Sequence, residues 1–478
     1  MSAAAAPAVS LRAPRQLSEQ AFDRAAGAAL VPGNAVRLLK DAAENYPAWL
    51  EAIAAAERRI HLEVYILADD GVGRRFAEAL AERARKGVAV RLVYDWLGAV
   101  GNAGRRYWRG LRAAGVEVRC FNPLRATAPL DALRRNHRKS ILVDDRVAFV
   151  TGLCIADSWI GDPQRGRAPW RDTGIELRGP AVREVALAFA DSWAETGEPL
   201  PAAELPAEAG PPAGDVGLRV VAGVSFATAA FRLDTLVAAL ARRRLWLADA
   251  YFAGTSTYVQ ALRAAARDGV DVRLLVPGAG SDIGAVQALS RAGYRPLLEA
   301  GVRVFEWNGP MMHAKTAVAD GRWARVGSTN LNVASWFGNW ELDVVIEDPT
   351  VGRAMEVMYG QDLEGSTEIV LGRGRIWRRS TRVQPVARTR RARLRGTDRG
   401  RRAAAGAVRL GHTIVAAVAG HRALGPAEAV LAARSGLVLL LLATLALVWP
   451  RLAAVPLAVL AGWIGLSLLA KAWSLRRP

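Results

Sequence analysis

Two stretches of this chain repeat one another, and that duplication restricts the possible folds more than any other feature. Residues 313–330 read H-A-K-T-A-V-A-D-G-R-W-A-R-V-G-S-T-N, and residues 137–154, about 176 positions earlier, read H-R-K-S-I-L-V-D-D-R-V-A-F-V-T-G-L-C. Each frame holds a His, a Lys two residues on and an Asp five further: His137, Lys139, Asp144 and His313, Lys315, Asp320. Of the five histidines in the chain, two occupy this frame. The likeness extends outward, since residues 241–252 answer 57–66 and residues 266–276 answer 84–94. Repeats this long read as two similar domains and not as a solenoid.

From residue 33 onward, short apolar runs alternate with helical stretches. That pattern predicts an α/β fold in which each half is a mixed, mainly parallel sheet flanked by helices. Strands are expected at 61–67, 88–94 and 116–121, with helices at 46–58, 72–86, 107–114 and 182–196. The Pro-, Ala- and Gly-rich stretch 199–215 makes the natural boundary. The expected organisation is a disordered leader (1–33), a first domain (34–198), a linker (199–215), a second domain (216–372), an Arg-rich segment (373–410) and membrane-anchoring helices (411–478).

Strand side chains alternate faces, so a His and a Lys two apart point the same way. An imidazole beside a fixed cation suits an anionic substrate, with the Lys on the phosphate oxygens. One half supplies a nucleophile or an acid; two facing halves supply both, which gives the duplication a mechanistic reason. Ser328 and Asn330, closing the second frame, offer hydrogen bonds to phosphoryl oxygens. Asp144 and Asp320 complete the motif. Yet seven residues of strand carry Asp320 roughly 23 Å from His313, so a role at the Asp320-Gly321 turn or at the domain interface is expected for it. Better placed to orient the imidazoles are the acids opening the next strands, Asp172 in W-R-D-T-G-I-E-L and Glu341 in N-W-E-L-D-V-V-I. Glu63 and Asp249 fall at matching strand positions, where cleft lining and strand-end salt bridging both fit. No metal or other cofactor is expected, because the frame puts an ammonium where a second ligand would be needed.

These residues resemble the phospholipase D superfamily, whose signature is two H-x-K-x4-D motifs. Stretches 45–53, 61–66, 136–145, 269–278, 297–307 and 312–316 narrow the resemblance to bacterial cardiolipin synthases over roughly residues 34–370. The resemblance implies that two phosphatidylglycerols are joined to cardiolipin with release of glycerol, through a phosphohistidine and without metal. His137 would be the nucleophile and His313 the acid, then base. Cys154 stands where the family usually has Asn at the end of its first motif, and Gly152 where the second copy has Ser328. Hydrolysis of phospholipid to phosphatidic acid is the alternative, followed by a nuclease and a non-catalytic lipid binder.

Charge and hydropathy bear on partners. The net charge is +19, and residues 373–402 carry thirteen Arg against one Asp. Beyond them, residues 435–449 and 452–470 contain no charged side chain, and about 20 apolar residues cross a bilayer as a helix. A hairpin with basic flanks on the cytoplasmic side, or one span beside an interfacial helix, is expected. The Arg run would then bind anionic headgroups. The expected setting is a bacterial inner membrane with cytoplasmic catalytic domains, phospholipid substrates and no nucleic acid partner. The two cysteines, Cys120 and Cys154, read as small buried hydrophobes.

Overall fold

The computed structural model describes residues 13–124, 134–372 and 375–379. Helix α1 (Ala13–Ala26) leads into β1 (Val31–Lys40), α2 (Asp41–Ala54), β2 (Arg59–Val64), α3 (Gly71–Arg85) and β3 (Ala89–Asp95). Short helices α4 (Trp96–Ala99) and α5 (Arg105–Ala113) precede β4 (Glu117–Phe121). The first frame then builds β5 (Ser140–Val143) and β6 (Val147–Thr151), followed by α6 (Asp157–Ile160), β7 (Thr173–Arg178) and α7 (Val182–Glu195). The second half runs β8 (Val216–Gly223), α8 (Ala229–Leu240), β9 (Arg244–Ala248), α9 (Ser256–Arg267), β10 (Asp271–Pro277), α10 (Gly284–Ala292), α11 (Tyr294–Glu299) and β11 (Arg303–Trp307). Its frame gives β12 (Thr316–Ala319) and β13 (Trp323–Gly327), then β14 (Glu341–Glu347), α12 (Pro349–Glu364), β15 (Ser366–Gly372) and β16 (Arg375–Arg379).

All sixteen strands join one sheet, in the order β16-β15-β11-β10-β9-β12-β13-β14-β8-β1-β7-β6-β5-β2-β3-β4. The halves meet where β1 pairs with β8 across a bulge at Gly33 (φ +85°). Between strands, parallel pairing is confined to β2–β3–β4 and β9–β10–β11, with isolated parallel bridges such as Asn136–Trp340 and Arg171–Met312 beside them. The rest is antiparallel, so the expectation of a mainly parallel sheet is corrected. Each frame folds back as a hairpin, which forces antiparallel neighbours on its flanks.

Helices cover both faces. Val72, Phe76 and Leu80 bury one face of α3, whose N-terminus is capped by the Asp70 carboxylate accepting from Gly73 N at 2.9 Å. With Trp49 and Ile53 of α2 they form the first half's core, and Leu233 and Val237 of α8 with Leu262 of α9 build its counterpart. A third core on the opposite face spans both halves, joining Val185 of α7 and Met355 of α12 to Ile175, Leu218 and Val344.

The leader is not wholly disordered. Phe22 and Ala26 of α1 pack into the second half's core, and Asp23 pairs with buried Arg219 at 2.8 Å. An Ala-rich helix without a wide apolar face gains its stability from such tertiary contacts. Among the described residues no helix is long and apolar enough to cross a membrane. The apolar runs 435–449 and 452–470 lie outside the described residues, as does the Arg-rich segment apart from β16.

Candidate active site

Both histidines sit just before a strand, His137 ahead of β5 and His313 ahead of β12, in short extended segments. Each segment is held by the other half. His137 N donates to Trp340 O at 2.9 Å, and Trp340 N donates to Arg135 O at 2.8 Å. His313 N donates to Arg171 O at 2.7 Å, and Arg171 N donates to Met311 O at 2.8 Å. The residues following Arg171 and Trp340 are Asp172 and Glu341, so the carboxylates arrive crosswise. His137 Nδ1 lies 2.9 and 3.1 Å from the two Glu341 oxygens, and His313 Nδ1 lies 2.7 Å from Asp172 Oδ2. The acids expected to orient the imidazoles do contact them, each reaching the histidine of the opposite half.

Electrostatics fixes the tautomers. Burial pushes the Asp172 carboxyl up, but His313 and Lys315 more than offset this and hold it at about 2. Glu341 is likewise raised by burial and brought below its ordinary value by His137 and Lys139. An ionised carboxylate only accepts, so each Nδ1 carries the proton and each Nε2 is left with its lone pair. Burial lowers His137 to about 4, and burial together with Lys315 lowers His313 to about 3. Both imidazoles are therefore neutral at neutral pH.

The lysines differ. Lys315 Nζ sits 2.9 and 3.1 Å from Nδ1 and Nε2 of His313 and donates to His313 O. Lys139 Nζ donates to His137 O, and among the described residues the hydrogen bonds of the His137 ring all run through Nδ1. Burial lowers both ammonium groups, Lys315 to about 8. Lys315 therefore remains largely cationic at pH 7.

Aromatic rings wall the pocket that both histidines line. Tyr65 meets the His137 ring edge-on at 5.0 Å, and Tyr251 meets His313 at 5.9 Å. Trp159 and Trp170 lie 5.2 and 5.8 Å from His313, and Trp159 Nε1 donates to Asp172 Oδ2 at 3.0 Å. The sequence reading missed these four. The tyrosines carried a signal, as both follow a β-strand in the repeated stretches 57–66 and 241–252. Trp159 also had a counterpart, Trp336, in S-W-I-G at 158–161 and S-W-F-G at 335–338, whereas Trp170 has none.

Other expected residues fall elsewhere. The Asp144 carboxylate accepts from the backbone N–H groups of Glu57, Arg58 and Arg59 at 2.8 Å each, and Asp320 accepts from Arg242, Arg243 and Arg244 at 2.8–3.0 Å. Both occupy the left-handed region (φ 54° and 53°) in the hairpin turn. These two motif aspartates thus anchor the chain entering β2 and β9, remote from the pocket, and their place among the catalytic residues is corrected. Ser328 is also redirected. Its hydroxyl donates to Glu341 Oε2 at 2.6 Å and accepts from Leu342 N at 2.9 Å, and it does not line the pocket. Asn330 does line it, facing the same cavity as Cys154. Cys154 is buried and Cys120 half-buried. Gly152 answers Ser328 for a steric reason: a Cβ there would come 2.2 Å from Asp172 Oδ1.

Glu63 and Asp249 neither line the cleft nor make strand-end ion pairs. Glu63 accepts from Asn136 Nδ2 at 2.6 Å, and Asp249 accepts from Tyr251 N and Leu331 N at 2.9 and 2.7 Å. The strand ladder pairs Glu63 with Ser140 and Ala248 with Thr316, so Asp249 lies one residue beyond the true counterpart of Glu63.

The arrangement offers two neutral imidazoles with fixed tautomers, two ammonium groups and an aromatic enclosure. The two lysines stand beside the two buried carboxylates. An arriving phosphodiester adds one negative charge, which favours protonating one imidazole and so creates the acid.

Comparisons with known proteins converge. A family model described as "Cardiolipin synthase, PLD-like domain" matches residues 49–157 and 237–363. A cardiolipin synthase of Alkalihalophilus pseudofirmus is 34% identical over 339 residues, covering 70% of this chain and 67% of its own length. One from Geobacillus kaustophilus is 36% identical over 319 residues, covering 65% and 62%. The chain thus spans about two thirds of the length of these relatives. The crystal structure of a phosphatidylserine synthase from Haemophilus influenzae superposes with TM-score 0.54 at 15% identity, over 73% of this chain and 91% of that one. That likeness is one of fold.

Proposed function

Since the chain belongs to the cardiolipin synthase family of phospholipase-D-like proteins, we propose that it is a phosphatidyltransferase that condenses two phosphatidylglycerols to cardiolipin and glycerol through a covalent phosphohistidine. The observation that carries this reading is the pair of imidazoles, each with Nδ1 on a buried carboxylate, in one pocket walled by aromatic rings. A phosphodiester enters with its oxygens at Lys139 and Lys315. His137 Nε2 attacks phosphorus while His313 gives a proton to the departing glycerol oxygen. The second phosphatidylglycerol then has its hydroxyl deprotonated by His313, and its oxygen displaces His137 from phosphorus. Two features support His137 as the attacker. Its Nε2 lone pair is left toward the pocket, whereas Lys315 Nζ stands 3.1 Å from Nε2 of His313. Asp172 and Glu341 hold each tautomer and stabilise an imidazolium when one forms.

Transfer and hydrolysis differ only in whether an alcohol or water reaches the intermediate, and Trp159, Trp170, Tyr65 and Tyr251 favour the former by narrowing access for water. The apolar runs 435–449 and 452–470 would anchor the chain in a bacterial inner membrane. The preceding arginines would face an anionic cytoplasmic leaflet. Incubation of the purified chain with phosphatidylglycerol in mixed micelles, without added metal, tests the reading by mass spectrometry. Cardiolipin with equal glycerol is expected; phosphatidic acid alone would replace the transferase by a hydrolase.

A further inference from the structure

Seven large apolar side chains are exposed among the described residues, and four of them lie on segments bordering the pocket: Leu124, Ile160, Val224 and Phe226. Ile160 follows the pocket's Trp159 in α6. The turn after β8 carries Val224 and Phe226 and is fastened to the π turn Ala334–Gly338, whose Ala334 and Ser335 line the pocket. Phe226 N donates to Phe337 O at 2.8 Å and Ser225 Oγ to Gly338 O at 2.7 Å. Arg134, beside the pocket's Arg135, reaches Ser225 Oγ at 3.4 Å, and Asn122 Nδ2 donates to Arg134 O, which brings the Leu124 segment to the same rim.

Phe226 has the most to explain. It is 78% exposed and held at φ 71°, the left-handed region that glycine or asparagine occupies with least strain. Folding in water gains nothing from an aromatic ring exposed in that position. Scattered exposed apolar residues need no explanation, but a cluster at the mouth of a site does. Cations stand among them: Arg134 and Arg165, paired with Glu195 and Asp162, and exposed Arg167.

We propose that this rim, led by Phe226 and Val224 with Leu124 and Ile160, is seated in the interfacial zone of an anionic phospholipid bilayer, so that lipid passes from the leaflet into the pocket without crossing water. The idea rests on the phosphatidyltransferase reading, and Arg134, Arg165 and Arg167 on the rim suit such a surface. Aromatic and aliphatic tips beside basic residues are the side chains that lodge at the headgroup boundary.

The test uses the full chain reconstituted in phosphatidylglycerol–phosphatidylcholine vesicles, with Cys120→Ser and a fluorophore on Phe226→Cys; Cys154 is buried. Leu240→Cys is the control, as Leu240 is also exposed but closes α8, twelve residues along from the rim loop. Lipids with a shallow spin label are expected to quench position 226 several-fold more than position 240. Equal quenching would overturn the proposal, and so would a rim covered by a protein partner, which leaves position 226 unquenched. In parallel, Phe226→Asp is expected to lower kcat/KM on vesicle phosphatidylglycerol about tenfold, roughly the worth of withdrawing one aromatic ring from an apolar surface, with turnover of a short-chain monomeric analogue unchanged. Equal loss on both substrates would overturn it. Aspartate adopts a left-handed φ more readily than phenylalanine, so folding is not at risk. Quenching needs no turnover, so an inactive preparation would count against the phosphatidyltransferase reading and leave the rim tested.

Discussion

The two halves use one hairpin and fill its underside with different chemistry. In the first half, Phe149 on β6 packs against Trp49 of α2, ring centroids 6.5 Å apart. At the matching ladder position on β13 the second half has Arg325, fully buried, 3.4 Å from Asp234 of α8 and close to Asp343 and Asp249. The same shell is apolar on one side and ionic on the other. The hairpins stay alike where they carry a histidine and lysine and diverge where they meet solvent-excluded filler. Function therefore constrains the edge of each hairpin facing the pocket, and packing alone constrains the face beneath.

Removing either imidazole should have the largest effect. His137→Ala and His313→Ala should each lower turnover on the order of 10⁴-fold, and His313→Ala denatured at alkaline pH, where a phosphohistidine survives, should carry a phosphatidyl group on His137. A label on His313 in His137→Ala would reverse the assigned order. Next come the orienting acids. Asp172→Asn and Glu341→Gln should cost roughly 10²- to 10⁴-fold in kcat. Gly152→Ala should approach the Asp172 effect through its clash with that carboxylate, while Ser328→Ala, losing one hydrogen bond to Glu341, should cost only about tenfold. A Gly152→Ala enzyme with unchanged kcat would separate Asp172 from catalysis.

Stability probes the filler. Arg325→Ala leaves buried carboxylates unpaired and should cost about 3–5 kcal/mol; Phe149→Ala should cost a similar ~3–5 kcal/mol by opening a cavity. Urea unfolding distinguishes the causes, since Arg325→Met with Asp234→Leu should restore most of the first loss. The smallest effect concerns pH. Burial pushes Asp249 up to about 7 and Asp234 to about 6, both above the unfolded value of 3.8. The folded protein then binds more protons than the unfolded chain between about pH 4 and 7, so these groups make stability fall as pH rises through that window. His137 and His313, held below 6.5, act oppositely, with their contribution lost as pH falls from 6.5 toward 4. Asp249→Asn should remove part of the decline between about pH 4 and 7 in thermal melts.

Much of the site could be read in the chain because it is duplicated. The His and Lys pairs recur in register, and Asp172 and Glu341 open the strands that follow them. Which acid serves which histidine could not be read, since the crossing depends on how Trp340 and Arg171 dock on the opposite half. The β-strand alternation with helices suggested parallel pairing, yet each frame turns back at Asp144-Asp145 or Asp320-Gly321 and imposes antiparallel neighbours. The helix α1 was hidden by its alanines, because the contacts that hold it, Phe22 and Asp23, belong to another region's core. Ser328 looked like a phosphate ligand from its place in the frame; only the fold shows its hydroxyl committed to Glu341.

The crossed carboxylates have the form of contacts across a two-fold axis, where one residue touches a second and the second's twin touches the first's twin. Between identical copies, any change to such a contact appears twice. Within one continuous chain it appears once, and each side drifts alone. Here one imidazole is held by the shorter acid and the other by the longer, with Gly152 making room on one side and Ser328 bracing the other. Covalent linkage thus converts a symmetric pair of equal groups into two that are free to specialise, each depending on the other half for its carboxylate.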